Sequence, residues 1–180
     1  YHEGAKPRIA SEERAEEIVA ACRGADGRIA KLTKSRKKER APLLYDLTSL
    51  QRDANTRFGF SARRTLAAAQ RLYEEHKALT YPRTNSRFLS SDMVNEIKPT
   101  VEGVGKNPVY AAPAKYVAKL DVLPLGRVIN DAKVTDHHAI IPTRSEHRTD
   151  KMSDDDKKVY DMVARRFLAV FHPDAVWENT

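Results

Sequence analysis

"LTSLQRDANTRFGFSARRTLAAAQRLYEEH", residues 47–76, places apolar side chains at helical spacing on both sides of a single glycine. Leu47, Leu50 and Ala54 recur at intervals of three and four, and beyond Gly59 so do Ala62, Leu66, Ala69 and Tyr73. Residues three and four apart share one face of a helix, so each run predicts an amphipathic helix. Gly59 predicts the tight turn between them, and the stretch reads as helix, turn, helix.

Working outward, Ser11 is a natural N-cap for a short helix that carries Glu12 and Glu13 in its first turn and is stopped by Gly24 and Gly27. Residues 28–42, "RIAKLTKSRKKERAP", begin with a β-like run at Ile29–Leu32 and fade into a solvated basic tract ended by Pro42. After the helix pair, "KALTYP" (77–82) predicts a brief strand running into a loop, because Pro82 removes an amide donor and keeps Tyr81 out of the α region. "SSDMVNEIKP" (90–99) predicts a short helix that Pro99 ends. Residues 99–136, punctuated by Pro99, Pro108, Pro113 and Pro124, predict irregular structure and short strands. The last element is a helix from Ser153, with Asp156 completing a capping box and Val159, Val163, Phe167 and Val170 on one face.

The chain has 180 residues, 41% of them apolar, enough to bury one sizeable core. Its 32 lysines and arginines against 25 acids leave a net charge of +7, and that excess points first to nucleic acid as the partner. One cysteine, Cys22, excludes an internal disulfide framework and a cysteine-rich zinc site, which accords with a reducing, cytoplasmic setting. No apolar run is long enough to span a bilayer, and the first ten residues have neither a signal-peptide core nor a methionine, consistent with a piece of a longer protein.

Two short stretches carry chemistry. In "TYPRTNSRFL" (80–89), Tyr81 and Arg83 flank the residue that stiffens both. In an extended segment residues i and i+2 project to one side, so phenol and guanidinium point together. A phenol with a pKa of about 10 needs help to act as a nucleophile, and a guanidinium grips phosphate bidentately. The pair therefore suits attack on a phosphodiester, although a Tyr-Pro-Arg triplet by itself is also an ordinary loop. In "VTDHHAIIPT" (134–143), Asp136, His137 and His138 make a poor metal site, because adjacent histidines in extended chain face opposite ways. A phosphate-binding or proton-transferring role suits them better, and a surface histidine pair is the plain alternative.

Taken in order, the helix pair leading into "TYPRTNSRFLS", then "DHHAIIPT", then "MSDDDKKVYDMVARRF" resemble the catalytic domain of type IA DNA topoisomerases, in the bacterial topoisomerase III branch, over most of residues 43–172. The resemblance implies a mainly α fold with a few short strands, helix-turn-helix or winged-helix-like. Residues 1–42 would be an arch-domain connector, 43–172 the catalytic tyrosine domain and 173–180 a return connector to the arch. It implies that Tyr81 breaks one DNA strand and becomes linked to its 5′ phosphate, that Arg83 steadies the scissile phosphate, and that His137 hydrogen-bonds the phosphate and assists proton transfer. Gln70, Thr84 and Asn85 fall at DNA-binding positions. Asn85 stands where the family usually has aspartate, so a role that needs that charge is in doubt.

Further implications are single-stranded DNA and the remaining domains of the same enzyme as partners, and Mg²⁺ held by an acidic toprim domain that these residues do not resemble. No metal ligand is expected within the chain, and the isolated chain is expected to be inactive. The acidic run "SDDD" (153–156) opens a helix, where carboxylates complement the dipole, and reads as capping. A second reading, a non-catalytic helix-turn-helix DNA-binding module, would use the helix after Gly59 for base recognition. That helix is alanine-rich in its middle and acidic at its end, which favours packing. A third reading is a structural domain kept soluble by its charge.

Overall fold

A computed structural model describes residues 9, 11–145, 147 and 149–180. Much of the first decapeptide of the 1–42 segment thus lies outside the described residues. The element order is α1 (Glu12–Cys22), β1 (Ser35–Glu39), α2 (Leu47–Phe58), α3 (Ala62–Glu74), α4 (Val94–Gly105), α5 (Pro108–Ala118), α6 (Asp154–Ala169) and β2 (Ala175–Asn179). Short 3₁₀ turns punctuate the connections. Among the described residues the fold is mainly helical with one small two-stranded sheet.

The chain divides into two compact units, one running to Lys37 and including Glu178–Thr180, the other Lys38–Trp177. In the first, Ser11 caps α1 by accepting from the Arg14 amide, and no residue of α1 is buried. Leu32 and Ile29 are exposed rather than in a strand; the strand forms later, in the basic tract. β1 pairs with β2, and Lys34 forms an ion pair with Glu178.

The second unit holds the core. Asp46 caps α2 through a reciprocal box with Ser49, and Gly59 ends it at φ +68°, a left-handed conformation that suits glycine. Ser61 then caps α3. The buried stripe of α3 is Thr65, Ala68, Ala69 and Leu72, turned by about one residue from the predicted one. Leu66, Gln70 and Tyr73 are left half-buried on its flank. The small side chains allow α3 to pack closely on α2 and α6.

On α6 the predicted face is found: Val159, Val163 and Phe167 are buried, Val170 partly so. Ser153 caps it by accepting from the Asp156 amide. The acids that follow bind α3. Asp155 forms two hydrogen bonds with Arg64, and the buried Asp156 accepts from both Nε and the terminal nitrogen of Arg71. Arg64 holds the Asp155 carboxyl below the usual carboxylate range. Burial alone would raise that of Asp156, and hydrogen bonds from Arg71 and Ser153 outweigh it.

Residues 99–136 depart from expectation. Instead of irregular chain they hold two helices, and Pro99 lies inside α4 rather than ending it. Pro108 takes the first position of α5, where its missing amide costs nothing, while Pro113 lies in its interior. Burial overrides the local penalty: Ile97, Val101 and Val104 on α4 and Tyr110, Ala114 and Val117 on α5 enter the core, and the two helices pack on each other. The approach is tight, since a Cβ on Gly103 would stand 2.5 Å from the Arg144 carbonyl oxygen. Among the described residues no helix is long and apolar enough to cross a membrane.

Candidate active site

Tyr81 is delivered by a turn and a register. After α3 the chain reverses at Lys77, whose φ is +50°, and the Ala78 amide donates back to the Leu72 carbonyl at 2.7 Å. The predicted strand at 77–82 is reduced to a single bridge, Leu79 with Pro142, because Pro82 ends the donors on one side and Pro142 lacks one on the other. Around that bridge Thr80 does the work of a longer ladder. Its amide donates to the Ile141 carbonyl (2.9 Å), its hydroxyl accepts from the Ile141 amide (3.0 Å), and Thr143 donates to the Ala78 carbonyl (3.1 Å).

On its other side, residues 139–140 are held by Phe88 and Tyr45: the Ala139 amide donates to Phe88 and the Ile140 amide to Tyr45. Arg166 fixes Tyr45 in turn. It lies over the Tyr45 ring at 4.0 Å and donates to the Tyr45 hydroxyl, to Asp53 and to the Leu43 carbonyl. Burial pushes the Tyr45 hydroxyl up to about 12, so it stays protonated as the donor to Asp53 (2.9 Å).

These registers bring His137 to Tyr81. Their ring centroids are 4.5 Å apart at an angle of 50°, and Tyr73 meets the Tyr81 ring edge-on at 5.4 Å. Arg83, Thr84, Asn85 and His137, all picked out from the sequence, line one open cleft of about 400 Å³ together with Thr48 and Asp136. Arg83, Asn85 and His137 are exposed, while Thr84 is 8% and Ser86 3% exposed. The Thr84 hydroxyl donates to the His137 carbonyl at 2.9 Å. His138 is not in the cleft wall; it is half-buried, with Nδ1 2.8 Å from the Ala139 carbonyl oxygen.

Gln70 is not in the cleft wall. It lies on α3, one turn before Tyr73, and donates to Glu74 at 2.6 Å. Its oxygen is buried with no hydrogen-bond partner among the described residues. Ser86 reads from the sequence, with Thr84, as a cap or phosphate contact, and here its hydroxyl is buried against the Lys133 carbonyl; Tyr73 and Thr48 were not singled out as site residues from the sequence. Tyr73 was read as part of the helix stripe, and nothing in the local pattern shows that the stripe turns enough to place it against Tyr81.

Tyr81 itself is not in the cleft wall; its phenol ring lies against the imidazole of His137, which is, and the wall also presents the Arg83 guanidinium, whose donors are not taken up by a hydrogen bond among the described residues. That set suits an anionic phosphoryl group. Among the described residues no group of three or more His, Cys, Asp or Glu could hold a metal ion, and two of the acids opening α6 are engaged by arginines.

Comparison with known proteins agrees in kind. A family model described as DNA topoisomerase matches residues 1–180. A DNA topoisomerase 3 of Bacillus subtilis is 51% identical over 152 residues, 84% of this chain and 21% of that one. A DNA topoisomerase 3 of Bacillus licheniformis is 48% identical over 164 residues, 91% of this chain and 22% of that one. The chain thus spans about a fifth of the length of these relatives. The structure of full-length topoisomerase I from Thermotoga maritima superposes with a TM-score of 0.63 at 23% identity, covering 98% of this chain and 28% of that one, a likeness of fold. The chain belongs to the DNA topoisomerase family, in its bacterial type IA, topoisomerase III branch.

Proposed function

We propose that this chain is the tyrosine-bearing part of a topoisomerase III-like enzyme that cuts and rejoins one DNA strand by transesterification. The observation that carries the reading is the contact between Tyr81 and His137 beside a cleft that also presents Arg83. The Tyr81 oxygen attacks phosphorus, a tyrosyl O–P bond forms, and the bond to the 3′ oxygen breaks. The products are a 5′-phosphotyrosyl strand and a free 3′ hydroxyl, with the phenol's proton passing to a base and a proton reaching the leaving oxygen. One phosphodiester replaces another, so the reverse attack rejoins the strand without nucleotide hydrolysis.

Arg83 clamps the scissile phosphate and balances the charge that builds on its oxygens. His137 hydrogen-bonds the same phosphate and assists proton transfer. Asn85, exposed on the cleft wall, contacts the strand as a neutral amide. The substrate is single-stranded DNA, held by basic side chains and stacking with strong salt dependence. The partners are the remaining domains of the same enzyme, with residues 1–42 and 173–180 as arch connectors and 43–172 as a helix-turn-helix-like catalytic domain. Mg²⁺, which the family suggests, fits no cluster of the described residues, and no step here is assigned to it. By itself the chain should relax no supercoils.

The helix-turn-helix reading without catalysis loses ground for a specific reason. Arg64 and Arg71 of α3, which a recognition helix would turn toward DNA, are bound to Asp155 and Asp156 of α6. The test is Tyr81→Phe in the full-length protein: loss of relaxation with DNA binding retained supports the proposal, and equal activity with phenylalanine would sink it.

A further inference from the structure

From Arg83 to Ser86 exposure alternates: Arg83 and Asn85 face solvent, Thr84 and Ser86 are buried. This is the period-two pattern of extended chain, and it separates side chains that can reach a ligand from side chains that cannot. The buried pair holds two parts of the site together. Thr84 Oγ1 donates to the His137 carbonyl at 2.9 Å and accepts from the Ser86 amide at 3.0 Å. Ser86 Oγ donates to the Lys133 carbonyl at 2.9 Å and accepts from the Phe88 amide at 3.1 Å. The Thr84 carbonyl also accepts from the Leu47 amide, the first of α2, at 3.0 Å. The segment carrying Tyr81 and Arg83 is thereby pinned at both ends of residues 133–137 and to α2.

We propose that Thr84 and Ser86 are positioning residues that set His137 against Tyr81 and Arg83, and that Thr84 acts through His137 rather than on DNA. The proposal rests on the reading of Tyr81 as nucleophile. A hydroxyl has one proton, and that of Thr84 is given to His137, so it has none to donate to a phosphate while the site is assembled. Both hydroxyls bond to main-chain carbonyls, so their loss loosens a backbone without changing the charge of the cleft. Loosening by a fraction of an ångström is costly when reacting groups must align.

The test uses the full-length protein with Mg²⁺ and a labelled single-stranded oligonucleotide. Thr84→Val removes the hydroxyl at constant shape, and Thr84→Ser keeps it. Two quantities are measured: the single-turnover cleavage rate at saturating DNA, and the DNA dissociation constant in a Tyr81→Phe background. The expected result is a saturating rate about 10 to 100-fold lower for Thr84→Val. Its dissociation constant should change by less than about twofold, and Thr84→Ser should recover most of the rate. A tenfold weaker dissociation constant with an unchanged saturating rate would overturn the proposal by making Thr84 a DNA contact, as would no change in either. Should Thr84→Val not fold, Ser86→Ala, which removes the hydroxyl's bonds to Lys133 and Phe88, carries the same two measurements. If Tyr81→Phe itself still cleaves, the nucleophile reading fails and the proposal with it. If Tyr81→Phe is dead while Thr84→Val loses only affinity, positioning alone is overturned.

Discussion

His137 packs its ring 4.5 Å from that of Tyr81 although the two lie on separate segments, and each is placed by main-chain bonds that converge on residues 139–143. A relationship built this way is sensitive to the imidazole itself. His137→Ala is expected to lower the saturating cleavage rate by about 10²-fold, the range of a lost proton-transfer group, measured by single-turnover kinetics on labelled DNA.

Arg83→Lys separates charge from geometry. An ammonium keeps the charge but loses the planar fork, so cleavage should fall about tenfold or more, with Arg83→Ala falling further. Equal rates for arginine and lysine would mean that only charge matters there.

The ties between α3 and α6 differ in weight. The Asp156 side chain is 2% exposed and doubly bonded to Arg71, whereas the Arg64 and Asp155 side chains are 54% and 24% exposed. Asp156→Asn should destabilise by about 3 kcal/mol, and Asp155→Asn by less than about 1 kcal/mol. Denaturant unfolding of the two variants checks the ratio.

His147 gives the fold a pH dependence. Burial lowers its pKa from 6.5 to about 4, and its neutral ring lies 2.7 Å from the Tyr160 hydroxyl and 2.9 Å from that of Thr143. Between those two values the unfolded chain binds a proton that the folded chain refuses, so stability rises with pH across that window and is lost as pH falls through it. Below it, the Arg-paired carboxyls of Asp155 and Asp156 begin to take up protons, and their contribution is lost in turn. Denaturant midpoints should fall from pH 7 to pH about 4.5, and His147→Gln should flatten that limb.

Gly103→Ala should destabilise by about 2 kcal/mol, because the new methyl meets the Arg144 carbonyl, a backbone atom that cannot rotate away. Thermal unfolding of the variant is the check.

Much of the helical layout was legible because its signals are local. The Leu50 and Ala54 stripe, the glycine at 59, the serine caps at 11 and 153 and the Val159–Phe167 face follow from spacing and cap chemistry. α4 and α5 were not legible, because Pro99 and Pro113 argue locally against helix and only burial of Ile97, Val101, Tyr110 and Val117 reverses the balance. In the site, Arg83 and His137 could be picked out as residue types suited to phosphate, while Asn85 entered only through the family resemblance. The contact with Tyr73 and the buried hydroxyls of Thr84 and Ser86 depend on how α3 is rotated and on long-range register, which no local pattern encodes.

The most direct test of the central claim follows one end label through the reaction. Full-length protein, Mg²⁺ and a single-stranded oligonucleotide labelled at its 3′ end are mixed, trapped with denaturant and run on a denaturing gel. The expected result is a protein-linked 3′ label that disappears with Tyr81→Phe, while a 5′ label leaves as free DNA. A covalent adduct that survives Tyr81→Phe, or one that retains the 5′ label, would contradict the assignment of Tyr81 as the residue that takes the 5′ phosphate.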